Sequence, residues 1–188
     1  MKITLSTSLA CLALAASAAT QAADYPDKTI TMIVPFAAGG PTDTIARLLA
    51  QSMGTNLKQQ VIVENVGGAG GTLGAARVAR SSPDGYTIFV HHVGHATAPG
   101  LYRKLPYNST DSFEPIGLAT DATSTLVARK DFPAKDLNEL LAYVRTNKEK
   151  VTLANAGIGA ASHLCGMLFM SAAGTELTTV PYKGTGRR

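Results

Sequence analysis

The chain has little cysteine, no long apolar run beyond its N-terminus and no concentration of charge of one sign. Of its two cysteines, Cys11 lies in a segment that we expect to be removed, so Cys165 has no intramolecular disulfide partner. No internal stretch approaches the roughly 20 consecutive apolar residues of a membrane span. The 188 residues carry a net charge of +4, and their cations form no stripe, which argues against nucleic-acid binding.

The usual catalytic and nucleotide-binding motifs are also missing. The chain has no GK[ST] and no GxSxG. His163 and Cys165 are two residues apart, so on a helix they face away from each other and cannot form a nucleophile pair. The sequence predicts neither an enzyme nor a cofactor, and a cofactor-dependent enzyme is the least favoured alternative.

The glycine-rich stretch Gly67–Gly74 (GGAGGTLG) resembles a dinucleotide fingerprint but does not match it. Its spacing is GxGxxxG, and the next strand ends in Val90-His91 without the acidic residue that would bind a ribose. We expect these glycines to let a helix pack closely against the sheet.

The first 23 residues have the pattern of a secretory leader. Lys2 supplies the positive start, Leu5–Ala19 is an apolar run too short to span a membrane, and Ala22-Ala23 are small residues suited to cleavage. The sequence therefore predicts export to the periplasm, with no direct membrane insertion of the remaining chain.

Strand and helix patterns alternate along the rest of the chain, which is typical of parallel α/β units. The patterns predict strands near residues 29–35, 60–64, 86–90, 124–129, 151–154 and 178–182, and helices near 41–53, 71–80, 136–146 and 161–173. In the first helix Ile45, Leu48, Leu49 and Ser52-Met53 fall on one face, and Asp136 can cap the third helix. The polar segment from Leu101 to Phe113 predicts a connection. We expect two α/β lobes, 24–120 and 121–188, joined near 115–121.

The stretch VPFAAGGPTDTIARLLAQSMG runs from a strand through two glycines into a helix. If Gly40 caps the helix, Pro41 is its first residue and Asp43 lies in the first turn. The unpaired N–H groups at a helix start attract anions, and Gly39 and Gly40 leave them accessible. No phosphate-type lysine is present, so the turn suits a carboxylate. A glycine-rich connection with no ligand remains the alternative.

The stretch from Asn155 to His163 repeats this arrangement in the second lobe. A strand again enters a glycine-rich turn, and Ser162 either caps the next helix or donates to a ligand. Because both turns follow the carboxyl ends of strands, a molecule with acidic groups at both ends could span the two lobes.

Three histidines, His91, His92 and His95, fall within five residues at a strand end. They support an alternative function, an exported zinc-binding protein, although His91 and His92 would point to opposite sides if the strand continues. Otherwise we expect His95 to donate a hydrogen bond to a ligand in the cleft.

Several longer motifs resemble the Bug-type family, the substrate-binding receptors of tripartite tricarboxylate transporters. They are YPDKTITMIVPFAAGGPTD, ENVGGAGGTLGAARVARSSPDGYT, HATAPGLYRKLPYNSTDSFEPI, GIGAASHLCGMLF and VPYKGTG. They occur in the family's order and extend from about Tyr25 to Gly186.

The resemblance implies a periplasmic binding protein of type II-like α/β fold, with two lobes that close on a small carboxylate. It also implies delivery of that ligand to membrane transporter subunits. The positions that match the family's pocket are Phe36, Ala37, Ala38, Gly39, Gly40 and Asp43 in the first lobe, and Gly159, Ala160, Ser162, Lys183, Gly184, Thr185 and Gly186 in the second, with His95 in a further ligand-side segment.

The sequence departs from the family pattern in three places. Ala160 stands where a serine or threonine is frequent, and His91-His92 where small polar residues are common. The family also continues well past KGTG. We therefore expect an incomplete second lobe and a truncated, poorly folded chain, and a non-functional copy is one alternative.

Overall fold

The structure is a computed structural model that describes residues 25–185, so the predicted leader, Gly186 and the final two arginines lie outside it. The elements in chain order are β1 (Ile30–Val34), α1 (Pro41–Leu57), β2 (Val61–Asn65), α2 (Thr72–Val78), β3 (Thr87–Phe89), α3 (Gly94–Leu101), α4 (Leu137–Thr146), β4 (Thr152–Asn155), α5 (Ala161–Ala173) and β5 (Thr178–Pro181), with 3₁₀ turns at Ala69–Gly71 and Lys148–Lys150.

The strands form two separate sheets, and every pairing is parallel. The first sheet has the order β2–β1–β3, with Met32 of β1 opposite Val63 on one side and Ile88 on the other. The second sheet pairs β4 with β5, and Leu153 lies opposite Thr179. Parallel strands need crossover connections, and helices supply them here. The predicted parallel α/β organisation is confirmed.

The core of the first lobe is built on the central strand β1. Its residues Ile30, Met32, Ile33 and Val34 are at most 1% exposed, because helices and loops cover both faces of a central parallel strand. Ala46 and Ala50 of α1 pack onto this strand together with Phe36.

Helix α1 begins at Pro41 with Gly40 as its N-cap, as the sequence predicts. The predicted inner face of this helix is partly wrong, since Leu48 is 64% exposed while Ala46 and Ala50 are buried. Leu49 and Met53 pack against the same core, whereas Leu48 lies about 200° around the helix from Ala46 and Ala50 and therefore faces solvent.

Helix α4 begins after Asp136, whose carboxylate accepts a 2.9 Å hydrogen bond from the backbone N–H of Glu139. This confirms the predicted cap, in which a side-chain oxygen satisfies an unpaired N–H of the first turn. Helix α5 has the predicted bounds, Ala161–Ala173.

Between the two sheets the structure has one helix that the sequence did not predict, and it lacks one strand that the sequence did predict. Helix α3 was not expected, because Pro99 lies inside it and the glycines at both ends weaken its pattern. The predicted strand at 124–129 is absent, since no neighbouring strand supplies hydrogen bonds to it, and Val127 is 84% exposed. The described chain has no regular helix or strand between α3 and α4.

None of the helices within residues 25–185 is both long enough and apolar enough to cross a bilayer.

A candidate ligand cleft between the two sheets

The predicted anion-binding turn of the first lobe leads from β1 into α1. Gly39 has φ +80°, a left-handed conformation that an L side chain rarely adopts, and Gly40 is extended at the N-cap. Phe36 at the start of the turn is buried against the lobe's core. The turn therefore has the shape that the sequence predicts.

The buried carboxylate of Asp43 stabilises this turn through hydrogen bonds. Its carboxylate accepts hydrogen bonds from the Gly39 backbone N–H at 2.8 Å, from Arg47 Nε at 3.0 Å and from Asn65 Nδ2 at 2.9 Å. Asp43 is 3% exposed. Burial opposes its ionisation, but the hydrogen bonds from Arg47, Gly39 and Asn65 outweigh burial, and the pKa of Asp43 lies below its usual value.

The expectation of a free N–H at Gly39 is corrected by this contact. The Gly39 N–H donates to Asp43 and does not point into the cleft, so Asp43 stabilises the turn on the side away from the cleft. Asn65 also donates to the Phe36 carbonyl oxygen at 3.0 Å. Sequence reasoning missed Asn65, although its place at the end of β2, opposite Val34, is a usable signal.

The second-lobe turn between β4 and α5 is closed by two side chains. Asn155 Oδ1 accepts from the Gly157 N–H and Ser162 Oγ accepts from the Ala156 N–H, both at 2.9 Å. The N-cap of α5 is Ala160, without a side-chain cap. Of the two roles predicted for Ser162, capping is therefore wrong, because its hydroxyl binds the backbone of the preceding turn.

Ala160 does not present its side chain to solvent. It is 1% exposed and belongs to the same apolar cluster as Phe36, Met32 and Val34 of the first lobe. The two lobes therefore share a core at this point, and the methyl group suits a position where a hydroxyl would need a buried partner.

The loops of the two lobes meet directly at two seams. At the first, the Tyr102 hydroxyl donates a 2.7 Å hydrogen bond to the Ile158 carbonyl oxygen. At the second, Gly184 lies so close to Ala37 that a Cβ on the glycine would stand 2.9 Å from the Ala37 nitrogen. The structure thus brings together the two turns that the sequence predicts on either side of a cleft.

A cavity of about 350 Å³ lies between these seams. Its lining combines glycine backbone, aromatic rings and one lysine. The lining residues are Phe36, Gly68, Ala69, Gly70, Gly71, Tyr102, Ala156, Gly157, Ile158, Pro181, Tyr182 and Lys183.

Only two of the predicted site residues, Phe36 and Lys183, line this cavity. The lining excludes the other predicted residues of the described chain, namely Ala37, Ala38, Gly39, Gly40, Asp43, His95, Gly159, Ala160, Ser162, Gly184 and Thr185. Gly186 lies outside the described residues.

The glycines of residues 68–71 and Tyr102 were missed as cleft residues. The sequence favoured a packing role for the glycines, and Gly74 has one, since a Cβ there would lie 2.8 Å from Pro35. Gly70 instead faces the second lobe, where a Cβ would overlap the Ile158 carbonyl oxygen. No signal in the sequence separates Gly70 from Gly74, because both glycines are required by a close approach of neighbouring atoms.

The three clustered histidines lie behind the cleft. His92 stacks on Phe36 with ring centroids 4.7 Å apart, and His91 meets the same ring edge-on at 5.5 Å. Strand β3 ends at Phe89, so the expected opposite orientation of His91 and His92 does not arise. The backbone N–H groups of His92 and Gly94 donate to the Nδ1 atoms of His91 and His92.

His95 faces an aromatic cluster instead of the cavity. Its ring stacks near Tyr107 and meets Phe113 edge-on, and its Nε2 lies 3.0 Å from the Ser109 carbonyl oxygen. The structure therefore places His95 away from the position expected for a ligand donor.

The histidine cluster does not have the form of a zinc site. Burial and the neighbouring His92 and His95 lower the pKa of His91 to about 3, so its ring is neutral at ordinary pH, which is the form that ligates metals, and the geometry decides the question. Within residues 25–185 no three His, Cys, Asp or Glu side chains are arranged to hold a metal ion. The zinc alternative loses its geometric support.

Comparison with known proteins places the chain among transport receptors. A family described as tripartite tricarboxylate transporter family receptor matches residues 45–188. A UPF0065 protein from the TAR-I ttuE-ttuC' intergenic region of Agrobacterium vitis is 52% identical over 86% of this chain and 47% of its own length. Protein BugT of Bordetella pertussis is 35% identical over 93% of this chain and 55% of its own.

Two solved structures have the same fold. The periplasmic binding protein BugD is 53% identical, with a TM-score of 0.77 over 86% of this chain and 54% of its own. MatC from Rhodopseudomonas palustris with bound malate is 43% identical, with a TM-score of 0.80 over 85% of this chain and 55% of its own. These likenesses confirm the predicted family resemblance and fold class. The chain spans about half the length of these relatives.

Proposed function

Because the chain belongs to the tripartite tricarboxylate transporter receptor family, we propose that it binds a small carboxylate between its two lobes. The bound ligand is then delivered to the membrane subunits of a tripartite tricarboxylate-type transporter. Receptors of this kind bind and release a solute, so the proposal assigns no reaction to the cleft.

The observation that carries the proposal is the composition of the inter-lobe cavity. Its volume, about 350 Å³, lies within the range of small-molecule sites. Among the lining residues of the described chain, Lys183 alone carries a charge. A cavity with one cation and otherwise uncharged walls favours an anion, because a carboxylate taken from water needs a charged or hydrogen-bonding partner.

The glycine-rich walls suit a small ligand. Gly68, Gly70 and Gly71 line one side of the cavity with backbone only, and the space beside their Cα atoms is taken by Leu73, Ile158 and His91. Phe36 and Tyr182 supply apolar surface for a carbon skeleton. MatC with malate, and a further R. palustris protein with adipate at 30% identity, give dicarboxylates as the first ligands to test.

Titration calorimetry on the full chain tests this proposal with malate, adipate and citrate. If the chain melts cooperatively, we expect it to bind at least one acid with micromolar affinity and not to bind the neutral ester of that acid. Lys183→Gln should raise Kd at least about tenfold, which is about 1.4 kcal/mol. Lys148→Gln is the matched control, because Lys148 is exposed in a 3₁₀ turn outside the cavity.

Two results of that titration would overturn the proposal. One is the absence of heat with every acid from a chain that melts cooperatively. The other is binding that Lys183→Gln and Lys148→Gln weaken equally, since a general charge effect would then explain it.

We also propose that residues 1–23 direct export to the periplasm and that 24–120 and 121–188 form the two lobes. Mass spectrometry of periplasmic protein should give an N-terminus near Ala23 or Asp24. Recovery of intact chain starting at Met1 from the cytoplasm alone would contradict export.

Delivery to a transporter is tested in cells. Deleting the chain should abolish uptake of the labelled acid that it binds, and expression of the wild-type chain should restore it. Restoration by Lys183→Gln at low acid concentration would contradict a role for this cavity in uptake.

A further inference from the structure

The turn between β4 and α5 sits in a socket on the first lobe. Three first-lobe residues form the socket: Gly70, Gly94 and Tyr102. A Cβ at Gly70 would overlap the Ile158 carbonyl oxygen, and a Cβ at Gly94 would lie 2.5 Å from the Gly159 carbonyl oxygen. Only residues without side chains allow the turn to approach this closely.

Within this socket one side chain makes a directional contact. The Tyr102 hydroxyl donates to the Ile158 carbonyl oxygen at 2.7 Å, and the tyrosine follows directly after α3, whose backbone fixes its position. Burial raises the pKa of Tyr102 above its usual value, so the hydroxyl keeps its proton. The donor belongs to the first lobe and the acceptor to the second.

The same contact lies on the wall of the cavity. Tyr102, Gly70 and Ile158 all line it, so parting of these residues would widen the opening of the cavity to solvent. The apolar cluster that contains both Ala160 and Phe36 also joins the lobes, but apolar burial is non-directional and allows sliding. The hydrogen bond fixes the position of the second-lobe turn against the first lobe, because it weakens steeply when its geometry changes.

We propose that Tyr102 is a closure latch, whose hydrogen bond to the Ile158 carbonyl holds the second lobe over the cavity and thereby sets ligand affinity. The affinity part rests on the proposed carboxylate binding, whereas the latch itself concerns only the two lobes. Tyr102 is a positioning residue in this scheme, since it acts through the placement of the second-lobe turn.

The latch is tested by measuring the distance between the lobes with spin labels. One label is placed on Leu48→Cys, an exposed position of α1, and the other on the exposed Cys165 of α5, with Cys11 replaced by serine. In this background we expect Tyr102→Phe to broaden the distance distribution and shift it to longer values, with or without malate. The tyrosine ring and its packing are kept, so the variant tests the hydroxyl alone.

A second variant and a matched control accompany this measurement. Gly70→Ala should lengthen the distance as well, because its Cβ would displace the Ile158 carbonyl. Tyr143→Phe makes the same chemical change at a tyrosine that packs on Phe132 within the second lobe, and it should leave the distance unchanged. An unchanged distribution for folded Tyr102→Phe, or equal broadening by Tyr143→Phe, would overturn the latch.

Calorimetry then separates the latch from the proposed function. If the wild-type chain binds malate or adipate, Tyr102→Phe should raise Kd roughly three- to tenfold, or about 0.6–1.4 kcal/mol. An unchanged Kd would overturn the role in affinity. If no acid binds, carboxylate binding fails, and the distance measurement still decides whether the latch exists.

Discussion

Asn65 donates one hydrogen bond of 2.9 Å to Asp43 and another of 3.0 Å to the carbonyl oxygen of Phe36. It thereby joins the start of α1 to the floor of the cavity, since Phe36 is a lining residue. The shape of the first-lobe turn depends on a buried polar network rather than on glycine alone.

Asp43→Ala should destabilise the chain by about 1–3 kcal/mol. The substitution leaves the Gly39 N–H without its side-chain acceptor and removes one of the two acceptors of the Asn65 amide in a mostly buried site. Urea unfolding measures the effect. Asp131→Ala is the control, because its side chain is 77% exposed and its ion pair with Arg129 contributes little. Equal midpoints for the two variants would contradict the network's role.

The same network predicts a loss of stability in acid. The pKa of folded Asp43 lies below the ordinary 3.8, so its contribution is fully present above about pH 4 and is lost as the pH falls through the folded pKa. Urea titration at pH 7 and pH 3 measures the difference in unfolding free energy between wild type and Asp43→Ala. We expect this difference to be smaller at pH 3. A constant difference would mean that the carboxylate's charge is irrelevant.

His91 predicts a second pH dependence at higher pH. Its pKa is near 6.5 when unfolded and about 3 when folded, because the buried ring disfavours the charged form. Between about pH 6.5 and pH 3 the unfolded chain binds a proton at His91 that the folded chain does not bind. The contribution of His91 to the free energy of unfolding is therefore largest above about pH 6.5 and falls as the pH drops towards 3. His91→Gln should therefore flatten the dependence of unfolding free energy on pH between 8 and about 4. Parallel wild-type and variant curves would contradict this.

Gly39→Ala and Gly100→Ala should have opposite effects on stability. Gly39 has φ +80°, where an L side chain is strained by about 1–2 kcal/mol even though space is open. Gly100 lies inside α3 with nothing near its Cβ position, so alanine there favours the helix. Thermal melts measure both. Destabilisation by Gly100→Ala equal to that by Gly39→Ala would show that the turn conformation is not the cause.

Limited proteolysis should cut first between the two sheets. Residues 114–131 are exposed and contain no helix or strand, and they include Arg129 and Lys130 as trypsin sites. We expect early fragments ending at Arg129 or Lys130, identified by mass spectrometry, before cleavage at Arg77, which lies in α2 and is paired with Glu64. Initial cleavage at Arg77 would indicate that the first lobe is the less stable part.

Sequence alone determined the elements whose signals are local. The apolar run of β1, the Gly-Pro start of α1 and the aspartate cap of α4 each depend on neighbours within a few residues, and the structure confirms them. The alternation of these elements was enough to predict parallel sheets, because strands joined through helices pair in parallel.

Only the tertiary structure decided which residues face the cleft. Tyr102, Gly70 and Ile158 lie far apart in the chain, and their meeting depends on how one lobe seats on the other. The absence of the predicted strand at 124–129 also depends on tertiary contacts, since a strand needs a neighbouring strand that local propensity cannot supply. Asp43 was identified from the sequence, but its role was not, because the direction of its carboxylate depends on Asn65, a residue of another strand.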